Sequence, residues 1–289
     1  MRSPFRIASA QYDIGFLPDW TAFAKKIHRW VGEAAKKKAK LLVFPEYFSM
    51  ELASLFGEEV YRSLDKQLAA LQEVVPAFID LFQSEAEQRG VHILAGSIPV
   101  RYGNGYRNRA YFFTPDGGPA VFQDKLQMTR FENEKWFISG GDEIKVFGTE
   151  LGKIGVNVCY DSEFPLIARK QVEAGADLIL VPSCTDTLAG YWRVRIGCQA
   201  RALENQCYVV QSPTVGEAPW SEAVDVNIGA AAVYTPVDYG FPDNGVLAVG
   251  ELNSTQWVYA DVDLARIAEV RQTGQVFNYR DWPGQLRFR

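Results

Sequence analysis

Apolar positions recur along this chain with two periods, and the switches between them mark out its elements. FRIASAQYD (5–13) alternates apolar and small or polar residues as a strand does. The next stretch, DWTAFAKKIHRWVGEAAKKKAK, sets Phe23, Ile27, Trp30, Val31 and Ala34 at helical spacing. It runs into LLVFPEY, a short apolar run closed by Pro45, which reads as a buried strand. A helical tract is expected from about Glu59 to Arg89, interrupted near Pro76. VHILAGSIPV, AYFFTPDG (110–117) and AVFQDKLQM then alternate strand signals with turn residues, predicting antiparallel or mixed strands.

The second half repeats this order. KIGVNVCYD (153–161) precedes the helical EFPLIARKQVEAGAD, which leads into LILVPSC (178–184). RIASAQYD thus matches GVNVCYD, and KAKLLVFPEY matches GADLILVPSC, with a helix between the two matches each time. Two matches in the same order argue for pseudo-symmetric halves packed together. A further helix, AGYWRVRIGCQARALENQ (189–206), precedes strand-like CYVVQSPTV, IGAAAVYTP, GVLAVGEL and WVYADVD, and RIAEVRQTG makes a last short helix. No Pro/Ser/Gly-rich linker interrupts the chain, so residues 1–289 read as one α/β domain with sheets inside and helices outside. The tail NYRDWPGQLRFR is aromatic and basic without a period, and is expected to lie across a surface or a partner subunit.

Composition narrows the classes. The 289 residues are 47% hydrophobic and 22% charged, with a net charge of −5, which is ordinary globular composition. There is no basic stripe for nucleic acid and no acidic tail; Lys36, Lys37 and Lys38 suit a helix C-terminus. The N-terminal stretch lacks the apolar core of a secretory signal, and no apolar run reaches the roughly 18 to 20 residues that span a bilayer. The four cysteines, Cys159, Cys184, Cys198 and Cys207, show no C-x-x-C pairing and require no disulfide framework. A cytoplasmic protein without membrane or nucleic-acid partners is expected. No cluster of His, Cys and carboxylates has ligand spacing, so neither metal nor cofactor is expected and chelators should have no effect.

Cys159 is the first candidate for chemistry. Ile154, Val156 and Val158 alternate with Gly155, Asn157 and Cys159, which places the cysteine on the other face at the strand's end. Asp161 or Ser162 can cap the following helix and Pro165 suits its first turn. A sulfur at such an elbow lies beside free N–H groups that favour a thiolate and can hold an oxyanion. A buried structural cysteine fits the same pattern, and Cys159 alone stays undecided. A histidine is the usual base, but His28 lies mid-helix and His92 opens a strand, where surface or edge roles are the commoner ones. A carboxylate with a raised pKa can serve instead. Glu46, at the mouth of the buried strand LLVFP, is the best placed, although a glutamate there often just meets solvent. Lys125, in the strand-like AVFQDKLQM, could stabilise negative charge on a carbonyl oxygen; a lone lysine is usually solvated. Cys198 and Cys207 read as core residues, and Cys184, after LILVPS, as either core or pocket wall.

These segments together resemble the nitrilase superfamily of carbon–nitrogen hydrolases over nearly the whole chain. FPEY is similar to the family's glutamate motif, QDKLQMTRFENEKWFISGGD to its lysine motif and GVNVCYDSEFP to its nucleophile elbow, in the family's order. The resemblance implies a four-layer αββα sandwich of two mixed sheets. It also implies Glu46 as general base, Lys125 as stabiliser of the tetrahedral intermediate and Cys159 as the nucleophile that forms a thioester. Many members carry a second glutamate after the lysine; FENEKW offers Glu132 and Glu134, and Glu132 has the family-like spacing. Tyr160 and Cys184 are implied neighbours of the substrate, with the Tyr160 N–H on its oxygen. Gln-Asp-Lys-Leu-Gln around Lys125 departs from the histidine-containing versions common in the family. Tyr160, where true nitrilases would have tryptophan, points to the amidase and carbamoylase branches. The expected substrate is a small amide or N-carbamoyl amine, and the expected assembly a homodimer or larger even homo-oligomer. Alternatives are a nitrilase, a catalytically silent interaction protein of the same fold, or a thiol redox sensor, which would need a resolving cysteine. Specificity is expected in the loops 47–60, 101–108, 184–195 and 215–228.

Overall fold

The computed structural model describes residues 3–288. The first half opens with strand β1 (Phe5–Asp13), helix α1 (Trp20–Lys36) and strand β2 (Ala39–Val43). The Asp19 side chain caps α1 by accepting from the Ala22 N–H at 2.8 Å, and Phe23, Ile27, Trp30, Val31 and Ala34 form its buried stripe. The helical tract from 59 to 89 is broken more often than the sequence suggests, into α2 (Glu58–Tyr61), α3 (Leu64–Leu71) and α4 (Val75–Arg89). Ser63 starts α3 as an N-cap, and Pro76 falls in the first turn of α4, where its missing N–H costs nothing. Strands β3 (His92–Leu94), β4 (Ile98–Tyr102), β5 (Gly105–Phe113), β6 (Val121–Asp124) and β7 (Ile138–Ser139) follow.

The second half contributes β8 (Val146–Gly148), β9 (Lys153–Val156), α5 (Pro165–Glu173), β10 (Leu178–Ser183), α6 (Leu188–Asn205) and β11 (Tyr208–Glu217). It continues through β12 (Val226–Asn227), β13 (Ala232–Tyr234), β14 (Val246–Val249), β15 (Gln256–Val262), α7 (Leu264–Thr273) and α8 (Asn278–Asp281).

The internal repeat is visible in the strand order. In the first sheet β1, β2 and β3 run parallel, flanked by antiparallel β15 on β1 and antiparallel β5 on β3. In the second, β9, β10 and β11 run parallel, flanked by antiparallel β8 on β9 and antiparallel β13 on β11. Tyr12 and Asp13 of β1 pair with Thr214 and Val215 of β11, so the two mixed sheets join at that edge.

Side-chain alternation then sorts the layers. One face of the first sheet (Ala8, Ala10, Tyr12, Leu42, Phe44) packs with Phe23, Ile27, Trp30, Phe78 and Phe82 of α1 and α4. The other (Ile7, Leu41, Val43, Leu94, Phe112) joins the cluster of Ile154, Leu178, Leu180 and Val209 from the second sheet. Ala168 and Val172 of α5 and Val194, Cys198 and Ala202 of α6 belong to that cluster from the outer side. The layering is helix, sheet, sheet, helix. It buries both faces of each central strand, as continuous apolar runs such as LLVF and LILV demand. The tail is not aperiodic as expected: it forms α8 and a 3-10 turn (Trp282–Phe288). Tyr279 and Trp282 lie against the Arg169 guanidinium of α5, each 5.0 Å from it.

Candidate active site

Glu46 follows β2, Lys125 follows β6 and Cys159 lies three residues beyond β9, all at one end of the sheets. The fold brings them together with Glu132 around one cleft of about 530 Å³. The strand carrying Cys159 ends at Val156, so alternation does not set the direction of the sulfur. Cys159 instead opens a 3-10 turn (Cys159–Glu163) with φ of 50°, a left-handed conformation that costs energy for a residue with a side chain. The sequence-based capping assignment also needs correcting. Phe164 precedes α5 without a side-chain cap, while the Ser162 hydroxyl donates to the Cys159 carbonyl at 2.7 Å. Helix α6 presses on this turn: a Cβ on Gly197 would stand 2.9 Å from the Ser162 carbonyl oxygen, to which Arg201 donates at 3.0 Å.

The turn after β2 is built as tightly. Tyr47 also has a left-handed φ, 54°, and its N–H donates to the Ser97 hydroxyl at 3.1 Å. Gly96 permits this approach, since a Cβ there would lie 1.9 Å from the Pro45 carbonyl oxygen.

Glu46 and Lys125 are each only 1% exposed, and Glu132 2%. Lys125 Nζ lies 2.8 Å from Glu46 Oε1 and 2.8 and 2.7 Å from the two oxygens of Glu132. Glu46 Oε1 also accepts from Asn108 Nδ2 at 2.9 Å, and Glu46 Oε2 from the Cys184 N–H at 3.0 Å. Glu132 is held further by the Tyr47 hydroxyl (2.7 Å) and by the N–H and hydroxyl of Thr129 (both 2.8 Å). The Cys159 thiol faces the Cys184 carbonyl at 3.7 Å and lines the same cleft as Glu46.

Two buried carboxylates share one ammonium, and this sets their protonation. Burial raises Glu46, Lys125 pulls it down and Glu132 pushes it up, and the net direction is up. Burial acts on Glu132 in the same sense, but Lys125, the Thr129 N–H and the Tyr47 hydroxyl outweigh it and hold that carboxyl below its ordinary value. Burial opposes charge on Lys125, yet Glu132, Glu46 and Cys159 keep it protonated well beyond the ordinary lysine range. Burial and then Glu46 push the Cys159 thiol well up. The thiolate-favouring elbow anticipated from sequence is therefore not what the site provides. The site thus sets a thiol pushed toward its neutral form beside a buried carboxylate whose pKa is raised.

The remaining candidates divide. Tyr160 and Cys184 line the cleft; Glu134 does not, its side chain being 57% exposed and paired with Arg130 at 2.7 Å. His28 pairs with Glu85 of α4, and His92 is buried in the first sheet; neither lines the cleft. Burial and Glu46 push Cys184 up to about 12, so its thiol is neutral too. Among the expected loops, 184–195 and 215–228 supply cleft residues beyond Cys184, including Thr185, Arg193 and Ala223. Of 47–60 only Tyr47 does, and of 101–108 none. Thr129, Arg130, Phe131, Glu132 and Trp136, from a stretch not anticipated as a specificity segment, line the cleft as well. Asn108 and Tyr47 escape sequence reading because their partners lie 62 and 85 residues away; Thr129 escapes it although Glu132 is three residues on, and Asp161 reads only as a helix cap. Asp161 is wholly buried; burial raises its carboxyl to about 7, against Lys125 and the N–H groups of Gln127, Leu126 and Val158.

Residues 6–272 match the family model described as carbon-nitrogen hydrolase. A probable hydrolase of Bacillus subtilis, YhcX, is 36% identical over 96% of this chain, which spans 53% of that relative's length. The omega-amidase NIT2 of Danio rerio is 30% identical over 84% of this chain and 83% of its own. Among solved structures, Nit3 of Saccharomyces cerevisiae, described as a member of branch 10 of the nitrilase superfamily, superposes with a TM-score of 0.76. It is 23% identical, covering 94% of this chain and 96% of its own. An amidase from Nesterenkonia sp. AN1 gives 0.72 at 24% identity, covering 93% and 98%.

Proposed function

The chain belongs to the carbon–nitrogen hydrolase family of the nitrilase superfamily, and from that premise we propose that it hydrolyses a carboxamide or an N-carbamoyl amine through a thioester on Cys159. The observation that carries this reading is the position of Glu46. One oxygen is tied to Lys125 and Asn108, the other accepts from the Cys184 N–H, and the carbonyl of that same Cys184 faces the Cys159 sulfur at 3.7 Å in the shared cleft.

The chemistry follows from those contacts. Glu46 takes the thiol proton as Sγ bonds to the carbonyl carbon, and the oxygen, now negative, is held by the Lys125 ammonium and the Tyr160 N–H. The intermediate collapses, the C–N bond breaks, and Glu46 returns its proton to the leaving nitrogen. A water then gives a proton to Glu46 and attacks the thioester; the C–S bond breaks and the sulfur regains its proton. Lys125 stays charged throughout, fixed by Glu132. An amide fits these steps because it already offers a planar carbonyl oxygen, whereas a nitrile needs a water added to a linear group. The relatives named omega-amidases and amidase favour the same choice. A thiol sensor would want a readily ionised sulfur, and both cleft thiols are pushed the other way.

Matched amide, N-carbamoyl and nitrile series, compared by kcat/KM, test the substrate class. Amides or carbamoyl amines should lead, with Cys159→Ala inactive but folded; nitriles ahead by tenfold or more would overturn the branch assignment.

Both halves supply the site, Glu46 and Lys125 from the first and Cys159 and Cys184 from the second, which supports a single hydrolase domain. A homodimer or larger even assembly is part of the same proposal. Trp192, Ile196 and Leu203 of α6 and Leu166 of α5 are exposed apolar side chains beside the nucleophile turn, a pattern that favours a covered face.

A further inference from the structure

We propose that Asp161 is a positioning residue that ties the segment after Lys125 to the turn that carries Cys159, and so sets the ammonium against the sulfur. Its carboxylate accepts from the N–H groups of Leu126 (3.1 Å to each oxygen), Gln127 (2.7 Å to Oδ1) and Val158 (3.1 Å to Oδ2). Leu126 and Gln127 follow the lysine directly, and Val158 precedes the cysteine. One side chain therefore grips the backbone beside both groups.

The two segments are otherwise anchored separately. Lys125 exchanges backbone hydrogen bonds with its own side of the molecule, its N–H to the Asn108 carbonyl and its carbonyl from the Gly141 N–H, both at 2.8 Å. The cysteine turn is held from the other side by Arg201 of α6. Among the described residues, no other hydrogen bond joins 125–129 to 157–163. Asp161 does not line the cleft, so it acts through its neighbours and not on the substrate. Every partner is a donor, which two carboxylate oxygens can satisfy and an amide, with one oxygen and one NH₂, cannot.

This inference rests on the hydrolase reading, and Asp161→Asn tests it. The amide keeps the shape but turns an NH₂ toward either the Gln127 or the Val158 N–H, opening one side of the clasp. Quenched mass spectrometry gives the fraction of Cys159 that acylates, and kcat is expressed per acylatable site. That value should fall about 100-fold, the scale of a misplacement near 1 Å, with KM changed much less. A merely structural role would lower the melting temperature and the acylatable fraction but leave turnover per site intact, and that result overturns the clasp. A wild type that never acylates at Cys159 sinks the hydrolase reading and the clasp with it; normal acylation with an unimpaired variant sinks the clasp alone. Hydrogen exchange on the wild type decides the matter if the variant does not fold. Gln127 is an exposed residue, yet its N–H should exchange as slowly as the strand amides of β6; exchange at open-loop rates would refute the proposal.

Discussion

Replacing Tyr47 by Phe removes one oxygen from the site and nothing else. The hydroxyl donates to Glu132 Oε1 at 2.7 Å, while the ring packs on Trp136 with centroids 4.9 Å apart and keeps that contact. Glu132 retains both bonds from Lys125 and both from Thr129. A hydrogen bond to an ionised group contributes about 1.5–3 kcal/mol, and the loss falls on a carboxylate only 2% exposed. At about 2–4 °C per kcal/mol for a protein of this size, the variant should melt roughly 3–12 °C lower. Because Glu132 orients Lys125, kcat/KM should also fall, by about tenfold if about 1.4 kcal/mol of the loss is felt in the transition state. Thermal melts and steady-state kinetics measure the two effects. Thr129→Val removes another donor from the same carboxylate, so a double-mutant cycle should show coupling of at least about 0.5 kcal/mol. A Tyr47→Phe enzyme that melts with the wild type and keeps its kcat/KM would refute the idea that Glu132 is a tuned support for Lys125.

The pH profile offers an independent check. As the proposed base Glu46 must be deprotonated, so kcat/KM should be lost as pH falls through its value, and the limb should lie above the ordinary carboxylate range because burial raises it. Glu132 pushes Glu46 up, so Glu132→Gln should move the acid limb to lower pH while kcat falls; a limb that stays or rises contradicts the electrostatic account. For the assembly, sedimentation at micromolar concentration should give a dimer or larger even oligomer, and Ile196→Asp, on the exposed face of α6, should shift it toward monomer. A monomeric wild type would remove that proposal.

The elements were legible where periodicity is strong. β1 spans the residues its alternation marks, and all five apolar positions read for α1 are buried. LLVF and LILV became central strands because only a strand covered on both faces accommodates such runs. Local pattern failed where the backbone leaves the regular repeats. Cys159 sits beyond its strand at a left-handed φ, and the Ser63 cap, together with the proline, breaks the tract from 59 to 89. By its own pattern Lys125 reads as one more solvated lysine; only the family resemblance singles it out, and the fold sets two carboxylates on it. The supports of the site were illegible for a related reason. Tyr47 meets Glu132 across 85 residues and Asn108 meets Glu46 across 62, distances over which no periodicity carries information. Spacing already favours Glu132 over Glu134, and in three dimensions one turns inward to Lys125 and the other outward to Arg130.

The central claim is that Cys159 attacks and carries the acyl group. Wild-type enzyme mixed with a turning-over amide, quenched in acid within the first turnovers and digested, should yield the peptide containing Cys159 with the mass of the acyl group added. Cys184, which lines the same cleft, should stay unmodified. Turnover with an adduct on Cys184, or with no adduct at any thiol while product accumulates, would contradict the account.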